Sequence, residues 1–209
     1  MAARIRYGIL AAFLMVGGLL AGCIDLGLGP GTRQTTQLYT LTAADPNSLE
    51  AADSRTSKLA IGVGPVTLPA YLDRSQILVR VGPRQLEALP FAQWAEPLEE
   101  NVLRVLVTHL AARTGSQVVY RYPWPRHQAP PVQLHLTVER FDAGRSGEAV
   151  LVVFWGWRDG EGNPLTPAAR SVYRQPVAGN LTDDLVAAMS RLVEDFSRTA
   201  ARELQRLPL

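Results

Sequence analysis

The chain has 209 residues, of which 47% are hydrophobic and 19% are charged, which is the composition of a folded protein rather than of a disordered one. Its 21 basic and 19 acidic residues give a net charge of only +2, so the sequence lacks the strongly basic surface that nucleic-acid-binding domains present. A single cysteine excludes an internal disulfide.

The N-terminal residues have the pattern of a lipoprotein export signal. Two arginines precede an uncharged apolar run over residues 8–20, which is too short to cross a hydrocarbon core of about 30 Å as a helix. Residues 20–23 then read Leu-Ala-Gly-Cys, with small residues directly before the cysteine. The pattern predicts cleavage between Gly22 and Cys23 and attachment of lipid to the Cys23 sulfur, because only a thiol forms the required thioether.

The mature chain would begin at Cys23 and hold 187 residues, 19 of them basic and 19 acidic, because the signal removes two arginines and no acid. A neutral chain has no polybasic patch for anionic lipids, so its acyl chains must provide the attachment, and two or three of them hold a protein firmly. Ile24 follows the cysteine, where aspartate would often signal inner-membrane retention. The predicted location is therefore the periplasmic face of the outer membrane.

The residues after the cysteine predict a tether and a single domain. Residues 24–36 are rich in glycine and lack hydrophobic periodicity, which is typical of a linker. The remaining length suits one hydrophobic core. The predicted organisation is a signal peptide over residues 1–22, a lipidated tether over 23–36 and one domain over 37–209.

Four short β-prone runs open the domain, and a Gly-Pro-Arg turn at residues 82–84 makes a hairpin of the last two. Gly62, Gly64 and Pro65 interrupt the second run, which indicates a bulge or a close approach of another segment. The predicted strands are 37–42, 58–66, 76–81 and 85–89.

The first helix is predicted to begin after Trp94, with Pro97 near its first position, where a missing N–H costs nothing. It is predicted to end at Gly115. One face carries apolar residues at the spacing of a core contact. These are Leu98, Val102, Leu103, Val105, Leu106, Leu110 and Ala111.

Further strands and a second helix are predicted in the C-terminal half, after a short strand at 116–121. Residues 132–138 alternate apolar and polar, as a strand with one exposed face does, whereas 149–157 is apolar on both faces, as a central strand covered on both sides is. A strand at 170–177 precedes a long helix, which Thr182 is predicted to cap. The apolar stripe of this helix is Leu185, Met189, Leu192, Phe196, Ala200 and Leu204.

This order of elements predicts an α+β fold. The last three strands are joined by loops too short for helical crossovers, so they should be antiparallel. A doubly wound parallel sheet would require strands and helices to alternate throughout, and they do not. We expect a mixed, largely antiparallel sheet with two amphipathic helices packed on one face.

The sequence contains no recognisable catalytic or metal-binding constellation. His109, His127 and His135 lack the spacing of a helical zinc site, and each is predicted to be a solvated side chain. The adjacent residues 99–100 (Glu-Glu) point from different faces of a helix and cannot act as paired carboxylates. Residues 144–147 (Gly-Arg-Ser-Gly) lack one residue of a nucleophile elbow and predict a tight turn. We expect no enzymatic activity, no metal and no cofactor.

Two tryptophans of the central strand allow two interpretations. Trp155 and Trp157 lie on one face of that strand with Leu151 and Val153. Packing in the core is the predicted role, and an apolar groove for lipid or for a protein partner is the alternative.

Two blocks of the sequence resemble a known family. Residues 61–74 read Ile-Gly-Val-Gly-Pro-Val-Thr-Leu-Pro-Ala-Tyr-Leu-Asp-Arg, and residues 94–100 read Trp-Ala-Glu-Pro-Leu-Glu-Glu. With Tyr-Thr-Leu at residues 39–41 and the final amphipathic helix, these blocks resemble the ABC-type transport auxiliary lipoproteins of the PqiC/YmbA type. The resemblance covers essentially the whole mature chain, and residues 121–147 carry no matching motif.

The resemblance implies a non-catalytic outer-membrane lipoprotein subunit of a lipid transport system that supports envelope integrity. The implied partners are an MCE-domain protein of the periplasm and, through the acyl chains, the outer membrane; a homo-oligomer is left open. Two other classes also stay open. One is a lipoprotein of lipopolysaccharide or outer-membrane protein assembly, and the other is a lipid-anchored hydrolase with an unfamiliar site.

The first block contains the candidate site. The segment Leu68–Arg74 is predicted to be a surface loop that places apolar side chains among few charges. Pro69, Tyr71 and Leu72, together with Trp94, are the candidate partner-binding residues. The alternative is that Tyr71 and Leu72 fold back and complete the edge of the core.

Overall fold

The strands and helices follow the predicted order in a computed structural model that describes residues 35–44 and 58–208. The predicted signal peptide, Cys23 and nearly all of the predicted tether lie outside the described residues. The strands are β1 (Gln37–Tyr39), β2 (Ala60–Thr67), β3 (Gln76–Gly82), β4 (Gln85–Trp94), β5 (Val118–Arg121), β6 (Val132–Gly144), β7 (Glu148–Asp159) and β8 (Ala169–Pro176). The helices are α1 (Leu98–Thr114) and α2 (Thr182–Arg206), and short 3-10 turns occupy Ala70–Leu72 and Arg126–Gln128.

The thirteen-residue strand β6 organises the sheet. Along one edge it pairs with β7 in antiparallel fashion, and β7 pairs likewise with β8. Its other edge pairs in parallel with β2 near its start and with β3 at its end. β5 adds to β2 in parallel, β4 adds to β3 antiparallel, and β1 adds to β4 in parallel. The sheet is mixed and largely antiparallel, which confirms the predicted α+β fold.

Both helices pack on one face of this sheet and against each other. All six predicted stripe residues of α2 are buried, with Phe196 in edge-to-face contact with Trp155 and Tyr173. The stripe of α1 is likewise buried, except that Ala111 is half-buried. Trp155 and Trp157 lie in this core, where Trp157 Nε1 donates to the carbonyl of Ala200 at 3.1 Å. The core interpretation of the two tryptophans is confirmed.

The sequence predicted both ends of α1 but not the cap of α2. Pro97 immediately precedes the first residue of α1, and Gly115 ends that helix in the left-handed conformation with φ of 67°, both as predicted. The predicted cap of α2 is wrong, because Thr182 is already helical and Leu181 is the flanking residue. The Asp184 carboxylate accepts the backbone N–H of Leu181 at 3.1 Å and closes the turn instead.

Strand β7 is central, as predicted, but its second face is covered only in part. Val150 and Val152 are buried there, whereas Phe154, the next residue on that face, is 41% exposed. The expectation of full cover on both sides was wrong because both helices lie on the other face. A strand whose residues are all apolar does not reveal how much of each of its faces is covered.

The glycines of β2 permit the close approach that the sequence predicted. The register of β2 against β6 shifts between Val63 and Val66, and Gly64 has φ of 113°. A Cβ atom on Gly64 would lie 2.5 Å from Cβ of Tyr122, and one on Gly62 would lie 2.8 Å from the Trp124 ring. The proline-rich loop after β5 therefore lies directly on the β2 backbone.

Candidate functional site

The segments that carry the family resemblance meet in space. Tyr39 pairs with Trp94 in the parallel register of β1 and β4. The N–H of Ala95 donates to the Tyr39 carbonyl at 2.8 Å, and the N–H of Trp94 donates to the Ser75 carbonyl at 2.7 Å. The backbone of residues 94–95 thus joins the first strand to the end of the segment 68–74.

A groove of about 440 Å³ lies between the two blocks. One wall is formed by residues 65–68, 70, 72 and 73, and the other is the start of α1 from Pro97 to Glu99. Most of the lining residues have apolar side chains, but more than half of the exposed lining surface is polar, and the acidic residues Asp73 and Glu99 are exposed there. The groove therefore offers both apolar and polar contacts, and its carboxylates favour a partner that carries positive charge.

The structure divides the four candidate partner-binding residues into two pairs. Leu72 and Trp94 are buried in the core, and of these two only Leu72 lines the groove. Pro69 and Tyr71 are half-buried and keep exposed surface. The 3-10 turn Ala70–Leu72 contains Tyr71 and Leu72, and the N–H of Leu72 donates to the carbonyl of the flanking Pro69 at 2.9 Å. Binding of a partner by these residues stays a prediction.

A buried ion cluster beside Tyr71 was not predicted. The Asp142 carboxylate is fully buried and accepts hydrogen bonds from Arg80 and Arg140, each at 2.8 Å at its shortest. Burial alone would raise the pKa of Asp142, but the two guanidinium groups more than offset it and hold that pKa below its usual value. The register shift of β6 between Val138 and Arg140 lies just before this cluster, and periodicity alone gives no sign of it.

The cluster fixes the electrostatic surroundings of Tyr71. Burial raises the pKa of the Tyr71 hydroxyl, and the negative charge of Asp142 raises it further, while Arg80 and Arg140 act in the opposite direction. The phenol therefore stays protonated at neutral pH and can donate a hydrogen bond. A neutral donor on a half-buried aromatic side chain is suited to contact with another protein rather than to proton transfer.

Polar side chains of both helices hold the segment Thr40–Ala44, which we call the N-terminal latch. Asn101 Oδ1 accepts the N–H of Leu41 at 2.9 Å, and Ser190 Oγ accepts the N–H of Thr42 at 3.1 Å. Arg104 donates to the Leu41 carbonyl at 3.0 Å. These contacts tie the chain just after β1 to α1 and α2.

His109 belongs to this latch, which overturns the prediction that it is solvated. Its side chain is fully buried, and its Nε2 accepts the N–H of Ala44 at 3.0 Å. Burial lowers the pKa of His109 to about 4, with a smaller contribution from the positive charges of Arg113 and Arg198. The ring is therefore neutral and carries its proton on Nδ1. A lone histidine on an apolar helix face gave no sequence signal for this role.

The other two histidines lie outside the N-terminal latch. His127 is exposed, as predicted. His135 is half-buried, within hydrogen-bond distance of Gln133, and burial beside Arg158 lowers its pKa. Within the described part of the chain, no three acidic, histidine or cysteine side chains lie close enough together to hold a metal ion. Neither described helix has the length and hydrophobicity needed to cross a membrane.

These observations first define the class of protein, which is an α+β domain whose motif-bearing segments meet at a groove with exposed acidic residues. The family is narrower. The family model for the ABC-type transport auxiliary lipoprotein component matches residues 39–201, and the chain belongs to this family. It is therefore a lipoprotein, anchored to a membrane of the cell envelope, that acts as an auxiliary component of ABC-type transport.

Solved structures share the fold at low sequence identity. An uncharacterized protein aligns with a TM-score of 0.65 and 19% identity over 81% of this chain and 99% of its own. Protein XCC0632 from Xanthomonas campestris aligns with a TM-score of 0.65 and 15% identity over 79% of this chain and 92% of its own. A comparison with curated protein sequences gave no significant match. At these identities the likeness establishes the fold alone.

Proposed function

We propose that the protein is a non-catalytic subunit of an MCE-type ABC system that moves lipid between membranes and so supports envelope integrity. Acyl chains on Cys23 hold it on the periplasmic face of the outer membrane. The groove between residues 65–73 and 97–99 binds the MCE-domain partner. The observation that carries this proposal is the convergence of the family's separate sequence blocks on one groove.

The groove is suited to a protein partner more than to a reaction. Its lining includes the buried side chains of Leu72 and Leu98, which fix both walls to the core and so present a fixed surface. Its rim carries the carboxylates of Asp73 and Glu99, which would orient a positively charged flank of the partner. Tyr71 lies between the lining residues Ala70 and Leu72 and keeps exposed surface, so it would provide an aromatic contact beside the groove, of the kind that often dominates binding energy.

Photocrosslinking in intact cells tests the partner. A photoreactive amino acid replaces Ala70 or Glu99, which are exposed at the groove, or Val172, which is exposed on β8 and serves as the control. The expected result is a crosslink to an MCE-domain protein from positions 70 and 99 and none from position 172. Crosslinks from the groove to subunits of lipopolysaccharide or outer-membrane protein assembly would instead support the alternative function.

Substitution of Tyr71 separates binding from folding. Tyr71→Ala should weaken capture of the MCE-domain partner while the midpoint of urea unfolding changes little, because the side chain is only half-buried. Tyr71→Phe keeps the ring and serves as the matched control. If Tyr71→Ala loses stability first and binding only through unfolding, the side chain instead completes the core. A variant that is both fully stable and fully competent in pull-down would refute both interpretations.

The anchor has a separate test. Cys23→Ser should leave an uncleaved precursor, because the lipoprotein peptidase acts only after the thiol has received diacylglycerol. Immunoblotting of fractionated cells shows the precursor by its size and shows which membrane holds the mature protein. Normal processing and membrane retention of this variant would disprove the lipid anchor, and sedimentation with the inner membrane would disprove the outer-membrane location.

A further inference from the structure

The three most exposed large apolar side chains of the described residues belong to segments that adjoin one another. Leu181 is 66% exposed, Leu38 is 65% exposed and Phe91 is 48% exposed. Isolated exposed apolar residues are ordinary, whereas a cluster of them usually marks a surface that contacts something else. We call these three residues the apolar tip.

The register of the sheet brings Leu38 and Phe91 together. Gln37 pairs with Ala92 and Leu38 pairs with Gln93, so Phe91 is only two positions from the direct partner of Leu38. Neighbouring strands lie about 4.8 Å apart, and two residues along a strand add roughly 7 Å, so the two Cα atoms lie within about 10 Å of each other.

A bulge exposes Phe91 while its neighbours stay packed. Between the pairs Leu78–Ala88 and Gln76–Gln93, β4 contains more residues than β3 does. Within this bulge Ala92 is buried, whereas Phe91 has φ of 58°, a left-handed conformation that is unusual for an aromatic residue. Such conformations are costly and persist only where the surrounding structure enforces them. They concentrate at functional positions.

Leu181 adjoins the same bulge. Leu89 of the bulge and Asn180, which directly precedes Leu181, line one cavity of about 380 Å³ together with Leu185 at the start of α2. The loop before α2 therefore lies against the β4 bulge. The tip thus combines three separate parts of the chain: the first strand, the bulge and the loop before the last helix.

The position of the tip in the chain favours a membrane as its occupant. Leu38 is the second residue of β1, the first described strand, and twelve residue steps separate Cys23 from Thr35. A chain of that length reaches at most about 40 Å, so a bilayer that holds the lipid of Cys23 lies within reach of the tip. Leucine and phenylalanine are residue types that enter the boundary between headgroups and acyl chains.

We propose that the apolar tip rests in the surface of the bilayer that holds the lipid anchor and thereby orients the domain on it. This inference rests on the proposed anchoring at Cys23. Leu38, Phe91 and Leu181 form the contact, and the occupant is the acyl-chain boundary of the membrane rather than a protein.

The single cysteine permits a direct test. In the lipidated protein the Cys23 sulfur is blocked, so Leu38→Cys, Phe91→Cys or Leu181→Cys introduces the one reactive thiol. Tyr120→Cys and Val172→Cys, at positions that are 45% and 44% exposed elsewhere on the sheet, are the matched controls. Each variant is labelled with an environment-sensitive fluorophore and reconstituted into vesicles of phosphatidylethanolamine and phosphatidylglycerol. Flotation of the vesicles reports the anchor, and quenching by nitroxide-labelled acyl chains reports the contact.

The expected result is flotation of all five variants, with blue-shifted emission and strong quenching at positions 38, 91 and 181 and neither at 120 and 172. Variants that float but show the same weak quenching at all five positions would overturn the tip and leave the anchor intact. Failure of the wild-type protein to float, with Cys23 free to react, would overturn the anchor and the tip together.

Discussion

The helix-covered face of the sheet and the N-terminal latch are held in place by different forces. Under α2, burial is apolar and spread over many side chains, with Phe196 packed edge to face on Trp155 and Tyr173. In the latch, single polar atoms of Asn101 and His109 hold single backbone N–H groups. Apolar packing has no preferred direction and follows the helical period, whereas each hydrogen bond of the latch depends on one atom in one place.

The largest effect is expected in the apolar region. Phe196→Ala should lower the free energy of unfolding by about 3–5 kcal/mol, because the ring is 1% exposed and its removal leaves a cavity. This is a large part of the roughly 5–15 kcal/mol that stabilises a domain. Urea unfolding measures it, with Val172→Ala on the exposed face of β8 as the control that should change stability by less than about 0.5 kcal/mol. A change below about 1 kcal/mol for Phe196→Ala would show that the stripe does not face a core.

A smaller effect is expected from the latch. Asn101→Ala removes the acceptor of the Leu41 N–H and of the Arg104 guanidinium, and a buried donor left without a partner costs about 1–3 kcal/mol. Asn101→Asp keeps the acceptor oxygens, and its charge faces Arg104, so it should retain most of the stability. Hydrogen exchange at the Leu41 amide distinguishes the two, since protection should be lost in Asn101→Ala and kept in Asn101→Asp. Equal protection in both variants would mean that packing, rather than the amide, holds the latch.

The contrast explains how much of the molecule could be predicted. The stripe from Leu185 to Leu204 and the alternation from Val132 to Val138 are periodic, so the sequence predicted their elements and their buried faces. The latch and the Asp142 cluster each depend on residues that are distant in sequence, and no local period records such a pairing. His109 was predicted to be solvated because no other histidine lies at the spacing of a helical zinc site, and the backbone N–H that it accepts lies 65 residues away in sequence.

The candidate site divides in the same way. The two sequence blocks and the turn-forming character of Leu68–Arg74 were readable, because proline and glycine act locally. The sequence did not reveal that Leu72 and Trp94 are buried while Pro69 and Tyr71 keep exposed surface. Which side of a short turn faces the core depends on the strands that flank it, and these become neighbours only through β6.

The effect most specific to the latch is a dependence on pH. The folded-state pKa of His109 is about 4, below its ordinary value of 6.5, because burial opposes the charged ring. Between these two values the unfolded chain binds more protons than the folded one, so stability is complete above pH 6.5 and falls as the pH decreases toward 4. Each pH unit within this window lowers the free energy of unfolding by up to about 1.4 kcal/mol. The free energy of unfolding should therefore be about 2 kcal/mol lower at pH 5 than at pH 7.

The matched variants locate this dependence. His109→Gln can still accept the Ala44 N–H through its side-chain oxygen but does not titrate, so most of the loss between pH 7 and pH 5 should disappear. His135 also has a lowered pKa, and His135→Gln therefore measures its share of the same window. Asp142 titrates below its ordinary value of 3.8 and adds nothing above pH 5. If His109→Gln and the wild-type protein lose equal stability over this range, the His109 ring is not the group that couples the latch to protons.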